Sequence, residues 1–437
     1  MIKDILELNR LMRRSLCSLD ELHHIQTIKL RDLVRHSFET VPYYRNLFRS
    51  VGMAPSDIRT AEDLRHLPIT TKASLREAGL DNILSCRADR SRCISAVTSG
   101  STGKPFTVYA SSQDMRRYRM VAFRALLKAG MRPLDRLALL GTIRPYRTRL
   151  YQRAGLFRSV SIHPMLPAKE QVKLLKTMDP TALWFYPSPL RSLLKNSPTP
   201  LNEIIRPRML ISGAEVLDPP LKRTVSGLWN SEIFNFYGAV EIGRIASECP
   251  AHEGLHVNMD HVVLECLDDR GQPVVPGEAG TAVVTTLDNQ TMPLIRYRLG
   301  DRLTVLNRQC SCGCAFPLIL PPHGREADIL RFHNGTAMST IALTPVLHTV
   351  DGLEQYRIIQ ESYDRLVLLL VLHKALTPES LSGLRDRLLA EFPCPVRLEI
   401  RVVDAIEEEK LKFRAFISRL TLETGACQGK SDLNPED

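Results

Sequence analysis

The stretch that decides the fold of this chain reads Thr98-Ser99-Gly100-Ser101-Thr102-Gly103-Lys104-Pro105. Its two glycines allow a tight turn whose N–H groups point inward, and its hydroxyls and one lysine add donors and positive charge. This combination is typical of a loop that holds phosphate groups. It is not a Walker A loop, which has four residues between its glycines and a Ser or Thr after the lysine. A flexible turn is the alternative, because clusters of Gly, Ser, Thr and Pro usually form one.

The composition is that of a globular protein with two or three domains. The chain has 437 residues, of which 44% are hydrophobic and 24% are charged. No run approaches the roughly 20 apolar residues that a membrane helix needs. The first residues, MIKDILELNRLMRRS, carry charges throughout and lack the apolar core of a signal peptide. These features predict a cytoplasmic protein with no membrane partner.

The formal net charge of +10 allows two interpretations. A nucleic-acid surface is one, but no nucleic-acid motif or aromatic-interleaved repeat accompanies the arginines. A solvated basic face is therefore favoured, and no nucleic-acid partner is expected. A positive field would also suit an anionic nucleotide substrate.

The order of apolar runs predicts an α/β fold. Short β runs at 136–140, 182–185, 209–211 and 232–236 alternate with helical stretches, which is typical of a largely parallel sheet covered by helices. From about residue 260 the pattern changes to β runs and turns, and beyond residue 325 it becomes a small α+β unit. Residues 425–437 are polar, carry no periodicity and are expected to be disordered.

Three further segments carry chemistry. Residues 211–215 (ISGAE) follow an apolar run, at the end of a strand where open α/β sheets bind ligands. Residues 235–241 (NFYGAVE) follow the next run and supply an aromatic ring for stacking and a carboxylate able to hold Mg²⁺. Asp301 follows a glycine turn and suits a ribose diol. Each segment alone is a weak signal.

Together and in this order the segments resemble the adenylate-forming superfamily, and more closely its phenylacetate–coenzyme A ligase branch with the CapK-like, capsular-polysaccharide-associated relatives. The resemblance covers nearly the whole chain. It is carried by VPYYRNLF, LPITTK, TSGSTGKP, ISGAE, NFYGAVE, GLHVNMDHVVLE and PGEAGTAVVTTLDNQTMPLIRYRLGD.

The resemblance implies a large N-terminal adenylate-forming domain at 1–325, with parallel sheets and a β-rich subdomain. A small mobile C-terminal α+β domain at 326–424 and the tail at 425–437 would follow. It also implies a two-step ligase. A carboxylate attacks the α-phosphate of Mg-ATP to give an acyl-adenylate and pyrophosphate, and the thiol of coenzyme A then displaces AMP.

The resemblance also implies which residues form the site. Nucleotide-binding positions are Thr98, Ser99, Gly100, Ser101, Thr102, Gly103, Lys104, Ser212, Gly213, Ala214, Glu215, Asn235, Phe236, Tyr237, Gly238, Asp301 and Arg325. The hydroxyls and Lys104 would surround the β- and γ-phosphates, and backbone groups at 213–215 would line the adenine. Tyr237 would stack on the base and Asp301 would take the ribose hydroxyls. Glu241 would hold Mg²⁺, and Lys412 would reach the substrate carboxylate, so Lys104, Glu241 and Lys412 are the predicted catalytic residues.

Two positions depart from the family pattern. Relatives tend to have a glycine before the C-terminal lysine, whereas Leu411 precedes Lys412 here, so Lys410 competes for the role. At the domain junction the family has two aspartates after Gly-Arg, whereas this chain reads Gly324-Arg325-Glu326-Ala327-Asp328. A small residue such as Ala327 can still serve in a hinge. The departure leaves open whether a thioester is formed.

Cysteine and histidine occur in two clusters that suit zinc. Some members of the branch carry a Cys/His zinc site, and the matching positions are Cys249, His256, Cys310 and Cys312. Four protein ligands would make this site structural. His252 could replace His256, and Cys314 could replace a neighbouring thiol. A group of reduced, metal-free cysteines is the alternative.

The substrate and the acceptor stay open. Trp184, Phe185, Tyr186 and Pro187 would either wall an acyl pocket or pack in the core, and an aryl acid is a preference carried by the family alone. The acceptor is coenzyme A or, in a second interpretation, an amine, a hydroxyl or a carrier-protein thiol. A third interpretation is a degenerate protein that binds nucleotide without turnover. The resemblance also implies that a homodimer is one possible assembly.

Overall fold

The computed structural model describes residues 2–98, 106–141, 150–322, 329–347, 349–406 and 415–420. These residues form two compact units, one made of residues up to 322 and the other of residues from 329 onwards. The domain boundary that the sequence predicts, between 325 and 326, lies outside the described residues, as does the tail at 425–437. No described helix combines the length and apolarity that crossing a bilayer requires.

The helices of the large unit begin at recognisable sequence signals. Ser18, Thr71 and Ser111 are N-caps whose side chains accept a hydrogen bond from the third helical residue, and prolines occupy the first turn of three other helices. The helices are α1 (Ile2–Arg14), α2 (Leu19–Thr40), α3 (Pro42–Ser50), α4 (Lys72–Ala78), α5 (Leu80–Ile83), α6 (Ser112–Lys128), α7 (Leu150–Arg153), α8 (Ala168–Met178), α9 (Pro187–Asn196), α10 (Leu201–Ile204) and α11 (Pro219–Trp229).

The strands of the large unit form one small and one large sheet. They are β1 (Ile94–Thr98), β2 (Phe106–Ala110), β3 (Arg136–Leu140), β4 (Arg158–Ile162), β5 (Ala182–Phe185), β6 (Met209–Gly213), β7 (Glu232–Ala239), β8 (Gly243–Glu248), β9 (Leu255–Val257), β10 (Val262–Leu267), β11 (Ala279–Thr286), β12 (Tyr297–Leu306) and β13 (Leu318–Ile319). Strands β1 and β2 pair with each other. The other eleven lie in the order β10-β11-β12-β13-β9-β8-β7-β6-β5-β3-β4.

The predicted α/β fold is confirmed. Strands β4, β3, β5, β6 and β7 are parallel, and pairing becomes antiparallel from β7 to β8 and onwards. All five residues of β6 are buried, as expected for a parallel strand covered on both faces. The carboxyl ends of β5, β6 and β7 therefore lie side by side, at the edge where ligands bind in such sheets.

Strand β7 is longer than the sequence predicts. The predicted β run ended at Phe236, but residues 237–239 continue β7 because they form a hairpin with β8. Asn235, Phe236, Tyr237 and Gly238 are thus strand residues whose side chains alternate between the two faces. The turn of this hairpin carries Glu241.

A buried ionic network fixes the N-terminal helices to the large sheet. Arg124 donates two hydrogen bonds to Asp260, at 2.9 and 2.7 Å, and Arg14 donates a third at 3.3 Å. Burial alone would raise the pKa of Asp260, but the guanidinium of Arg124 and neighbouring cations hold it at about 2. Removing one partner of such a pair leaves an uncompensated buried charge, so the network is structural.

The second unit is an α+β domain, as predicted. Its elements are β14 (Ile329–Arg331), β15 (Ala337–Ser339), α12 (Thr344–Leu347), β16 (Leu353–Gln360), β17 (Arg365–Leu372), α13 (Pro378–Ala390), β18 (Arg397–Val402) and β19 (Phe416–Ser418). Four strands form a sheet in the order β18-β17-β16-β19, and apolar residues of its strands pack with α13.

Candidate active site

A hydrogen bond joins two of the predicted nucleotide ligands. The hydroxyl of Tyr237 on β7 donates to Oδ2 of Asp301 on β12 at 2.8 Å. Tyr237 is 8% exposed, so its ring is held largely by protein contacts. The two positions lie far apart in the chain and meet because both strands belong to the large sheet. The pair can fix the orientation of the Asp301 carboxylate.

One hydroxyl group and one ammonium group contact the Glu241 carboxylate. Tyr297 donates from its hydroxyl to Oε1 of Glu241 at 3.4 Å, and Nζ of Lys72 lies 3.5 Å from the same oxygen. The side chain of Glu241 is 10% exposed. A carboxylate in this setting is a hard oxygen ligand of the kind that Mg²⁺ prefers.

Lys72 reaches Glu241 because its segment is hydrogen-bonded to the large sheet. The N–H of Thr70 donates to the carbonyl of Arg296 at 2.8 Å, and the N–H of Arg298 donates to the carbonyl of Thr70 at 2.9 Å. Helix α4 then begins at Lys72. Sequence reasoning missed Lys72 and Tyr297 as site residues, although both occur in quoted motifs, LPITTK and RYRLGD.

The 212–215 segment is fixed at both ends. Ser212 is buried on β6, and its hydroxyl has no hydrogen-bond partner among the described residues. Ala214 has a positive φ of 68°, an uncommon conformation for a residue with a side chain. Glu215 accepts hydrogen bonds from the N–H and the hydroxyl of Ser188 at 2.9 and 2.6 Å, in the first turn of α9. The turn after β6 is therefore tied to α9.

A close approach of its neighbours favours glycine at position 213. A side chain there would place its Cβ 3.2 Å from the carbonyl oxygen of Phe236 and 3.2 Å from Nε1 of Trp184. Phe185 is fully buried and is a core residue, whereas Trp184 and Tyr186 are half-buried at the strand end. Of the predicted aromatic segment, Trp184 thus lies beside the 212–215 segment.

Several predicted site residues lie outside the described part of the chain. These are Ser99, Gly100, Ser101, Thr102, Gly103, Lys104 and Arg325, together with Lys410, Lys412 and the hinge at 324–328. Thr98 ends β1, the strand that leads into the predicted phosphate loop. The roles assigned to all of these residues stay predictions.

The structure brings the four predicted metal ligands together. The ligand atoms of Cys249, His256, Cys310 and Cys312 all lie within 4.8 Å of one another. The Sγ atoms of Cys249 and Cys310 are 3.6 Å apart, and Sγ of Cys312 is 3.4 Å from Nε2 of His256. Sulfur ligands about 2.3 Å from a tetrahedral zinc would lie about 3.8 Å apart, so this spacing fits the ion.

The surroundings of the cluster also suit a metal. Nδ1 of His256 lies 3.4 Å from the carbonyl oxygen of Phe316, a contact that turns Nε2 toward the thiols. Burial raises the pKa of the Cys249 and Cys310 thiols, so a cation would be needed to hold them as thiolates at neutral pH.

The two alternative ligands point elsewhere. Nδ1 of His252 lies 3.5 Å from Oε2 of Glu248, and its ring packs on Phe234 with centroids 4.9 Å apart. Cys314 is buried in a separate apolar cluster with Leu22 and Phe316. Among the described residues, only the first set of four has the spacing of a metal site.

Comparison with known proteins identifies relatives along most of the chain. The phenylacetate–coenzyme A ligase of Thermus thermophilus is 28% identical over 351 residues, which cover 78% of each protein. The protein CapK of Staphylococcus aureus is 21% identical over 381 residues, covering 81% of this chain and 79% of CapK. No protein-family model matches the chain.

The fold has close solved counterparts. A 2-hydroxyisobutyryl-CoA ligase in its postadenylation state superposes with a TM-score of 0.77 at 19% identity, covering 93% of this chain and 91% of that structure. This likeness shows the fold, and the sequence relatives show homology along most of the chain. The resemblance inferred from the motifs is confirmed: the chain is homologous to the phenylacetate–coenzyme A ligases and to CapK, has the fold of a solved acyl-CoA ligase, and is an AMP-forming ligase.

Proposed function

We propose that this protein activates a carboxylic acid with Mg-ATP, releases pyrophosphate and passes the acyl group from the acyl-adenylate to the thiol of coenzyme A. The observation that carries the proposal is the position of Tyr237, Asp301 and Glu241, which are linked through strands β7 and β12 at one region of the large sheet. The relatives named as phenylacetate–coenzyme A ligases support both half-reactions and favour an aryl acid.

The nucleotide would be held by groups of different chemistry. The Asp301 carboxylate, oriented by Tyr237, would accept hydrogen bonds from the two ribose hydroxyls. The ring of Tyr237 would face the base, and the backbone at 213–215 would line its edge. Residues 99–104 would surround the β- and γ-phosphates with hydroxyls, N–H groups and one ammonium.

The acid and the phosphates would meet near Glu241. This carboxylate would hold Mg²⁺, which neutralises phosphate charge and so favours attack at the α-phosphorus. Lys412 would draw the acid's carboxylate toward that phosphorus. One carboxylate oxygen of the acid then forms a bond to phosphorus while the bond to the pyrophosphate oxygen breaks.

A structural zinc ion would complete the large unit. The three cysteines and one histidine at 249, 256, 310 and 312 would form a closed set of four ligands, leaving no position for a substrate. The ion would tie the segment after β8 to the segment between β12 and β13. Its role would be stability rather than catalysis.

Pyrophosphate exchange tests the proposal directly. A panel of aryl, fatty and hydroxy acids is added one at a time to the protein with Mg-ATP and labelled pyrophosphate. Exchange without coenzyme A is expected for at least one acid, and adding coenzyme A should then release AMP and yield the thioester. AMP release only with an amine or a carrier protein would change the acceptor. No exchange with any acid would favour the protein that binds nucleotide without turnover.

Replacing Tyr237 with phenylalanine keeps the ring but removes the hydroxyl that orients Asp301. Loss of a hydrogen bond to a charged group costs about 1.5–3 kcal/mol, so the KM for ATP should rise about tenfold or more in the exchange assay. Tyr363→Phe removes an exposed hydroxyl of the second unit and is the matched control. An unchanged KM in Tyr237→Phe would mean that Asp301 does not act through this pair.

A further inference from the structure

Arg244 is a buried arginine that has no counter-ion among the described residues. It occupies the second position of β8 and is 9% exposed. Its Nε atom is fully buried without a hydrogen-bond partner, and its side chain forms no ion pair with a described carboxylate. The phenol of Tyr186 is near enough to interact electrostatically with the guanidinium. Buried charges are normally paired, because an isolated one loses its hydration without compensation.

Two aromatic rings cover the guanidinium of Arg244. Its central carbon lies 4.6 Å from the ring centroid of Trp184 and 4.7 Å from that of Phe236. The rings attract the positive charge, but they give no acceptor to the in-plane N–H groups. Burial lowers the pKa of Arg244 to about 10, so the side chain stays charged at neutral pH.

A second donor beside Arg244 also lacks an acceptor. The indole Nε1 of Trp184 is buried and has no hydrogen-bond partner among the described residues. The two rings contact each other edge to face, with centroids 5.7 Å apart. One small region of the site therefore contains an indole N–H and a guanidinium, and among the described residues no acid pairs with either.

This region is separate from the proposed ribose contact. Neighbouring residues of a strand point to opposite faces, so Phe236 and Tyr237 face opposite sides of β7. Arg244 pairs with Gly238 in the β7–β8 hairpin and packs on Phe236, whereas Tyr237 bonds to Asp301. An anion at Arg244 would therefore be distinct from the ribose that Asp301 would bind.

The region is nevertheless close to the proposed reaction centre. Arg244 follows Glu241 by three residues, which limits the separation of their Cα atoms to about 11 Å. The distance alone therefore allows a compact molecule to extend from one position to the other.

We propose that the acid substrate carries a second carboxylate, which Arg244 and the indole of Trp184 bind while the first carboxylate is adenylated. The inference rests on the proposed function and narrows its substrate class to compact dicarboxylic acids. The second carboxylate supplies the missing counter-ion, and it forms no covalent bond. Arg244 is thus a specificity-determining residue.

Matched pairs of acids test the inference. Benzoate is compared with terephthalate, phenylacetate with 4-carboxyphenylacetate, and hexanoate with adipate, each in pyrophosphate exchange. A site that is built to bond a polar group rejects the analogue lacking it by a large factor, so the parent protein should prefer the diacid of at least one pair by about 100-fold. A parent protein that prefers the monoacid of every pair overturns the inference.

Variants of Arg244 distinguish binding of the second carboxylate from two other roles, which are binding of the reacting carboxylate and structural support. In Arg244→Met, the rate of exchange with the diacid should fall about 100-fold, while the rate with the monoacid is unchanged or higher. Arg244→Lys should retain part of the preference for the diacid. Equal losses for both acids would mean that Arg244 binds the reacting carboxylate. No loss for either would make it a purely structural partner of the rings. Both of these results overturn the inference.

Controls cover folding and the proposed function. Arg223→Met removes an exposed arginine of α11 and should leave the exchange rate with both acids unchanged. If both Arg244 variants fail to fold, the preference of the parent protein for diacids over monoacids decides whether the inference holds. If no acid supports exchange, the proposed function fails, and thermal shifts then test the inference alone. In that case the diacid should raise the melting temperature of the parent protein more than the matched monoacid, and equal shifts would overturn it.

Discussion

Pyrophosphate exchange should fall about a hundred- to a thousandfold when Glu241 is replaced with glutamine, the loss typical of removing one electrostatic stabiliser of a transition state. The amide keeps the size of the carboxylate but loses the charge that a hard divalent cation requires. The contact with Lys72, at 3.5 Å from Oε1, would lose its ionic character as well. We expect both the rate and the apparent affinity for Mg²⁺ to drop.

A magnesium titration distinguishes a metal ligand from a structural ion pair. If Glu241 holds the cation, the variant should need more Mg²⁺ for half-maximal exchange, with little change in melting temperature. If the carboxylate serves only to pair with Lys72, the melting temperature should fall and the magnesium dependence should stay as in the parent protein. Glu232→Gln, at the exposed start of β7, is the matched control and should exchange normally.

Local patterns in the sequence predicted the parallel part of the fold well. Strands such as β6 are buried on both faces and appear as continuous apolar runs, and helices such as α6 begin at a capping serine. The predicted end of β7 was wrong because its last residues show no strand pattern of their own. They continue the strand only because they pair with β8. Pairing between strands is not a local property, so it is poorly visible in a single sequence.

The residues that contact the motif residues of the site were harder to predict than the motif residues themselves. The motifs carried Tyr237, Glu241 and Asp301, since their order resembles a family. Lys72 was missed because its position depends on the backbone pairing of Thr70 with the beginning of β12. Nothing in the sequence distinguishes Arg244 from the other members of a set of 58 lysines and arginines. Its burial arises only when Trp184 and Phe236 are brought together by β5 and β7.

Substitution of Cys310 with serine should release the metal and destabilise the large unit. A serine hydroxyl cannot replace a thiolate as a zinc ligand, and the three remaining ligands would bind the ion far more weakly. Because metal binding contributes to folding free energy, the melting temperature should fall by about 10 °C. Protein purified without chelator should contain one zinc per chain before the substitution and well under one after it.

The choice of control follows from the geometry of the cluster. Cys314 lies two residues after Cys312 but packs in another apolar cluster, so Cys314→Ser should keep its zinc even if it loses some stability. If Cys314→Ser loses zinc and Cys312→Ser retains it, the fourth ligand is Cys314 and not Cys312. A parent protein with far less than one zinc per chain, and a Cys310→Ser variant that melts at the parent temperature, would together show that the thiols are reduced and metal-free. Such a result would leave the ligase proposal intact, because no step of adenylation uses this cluster.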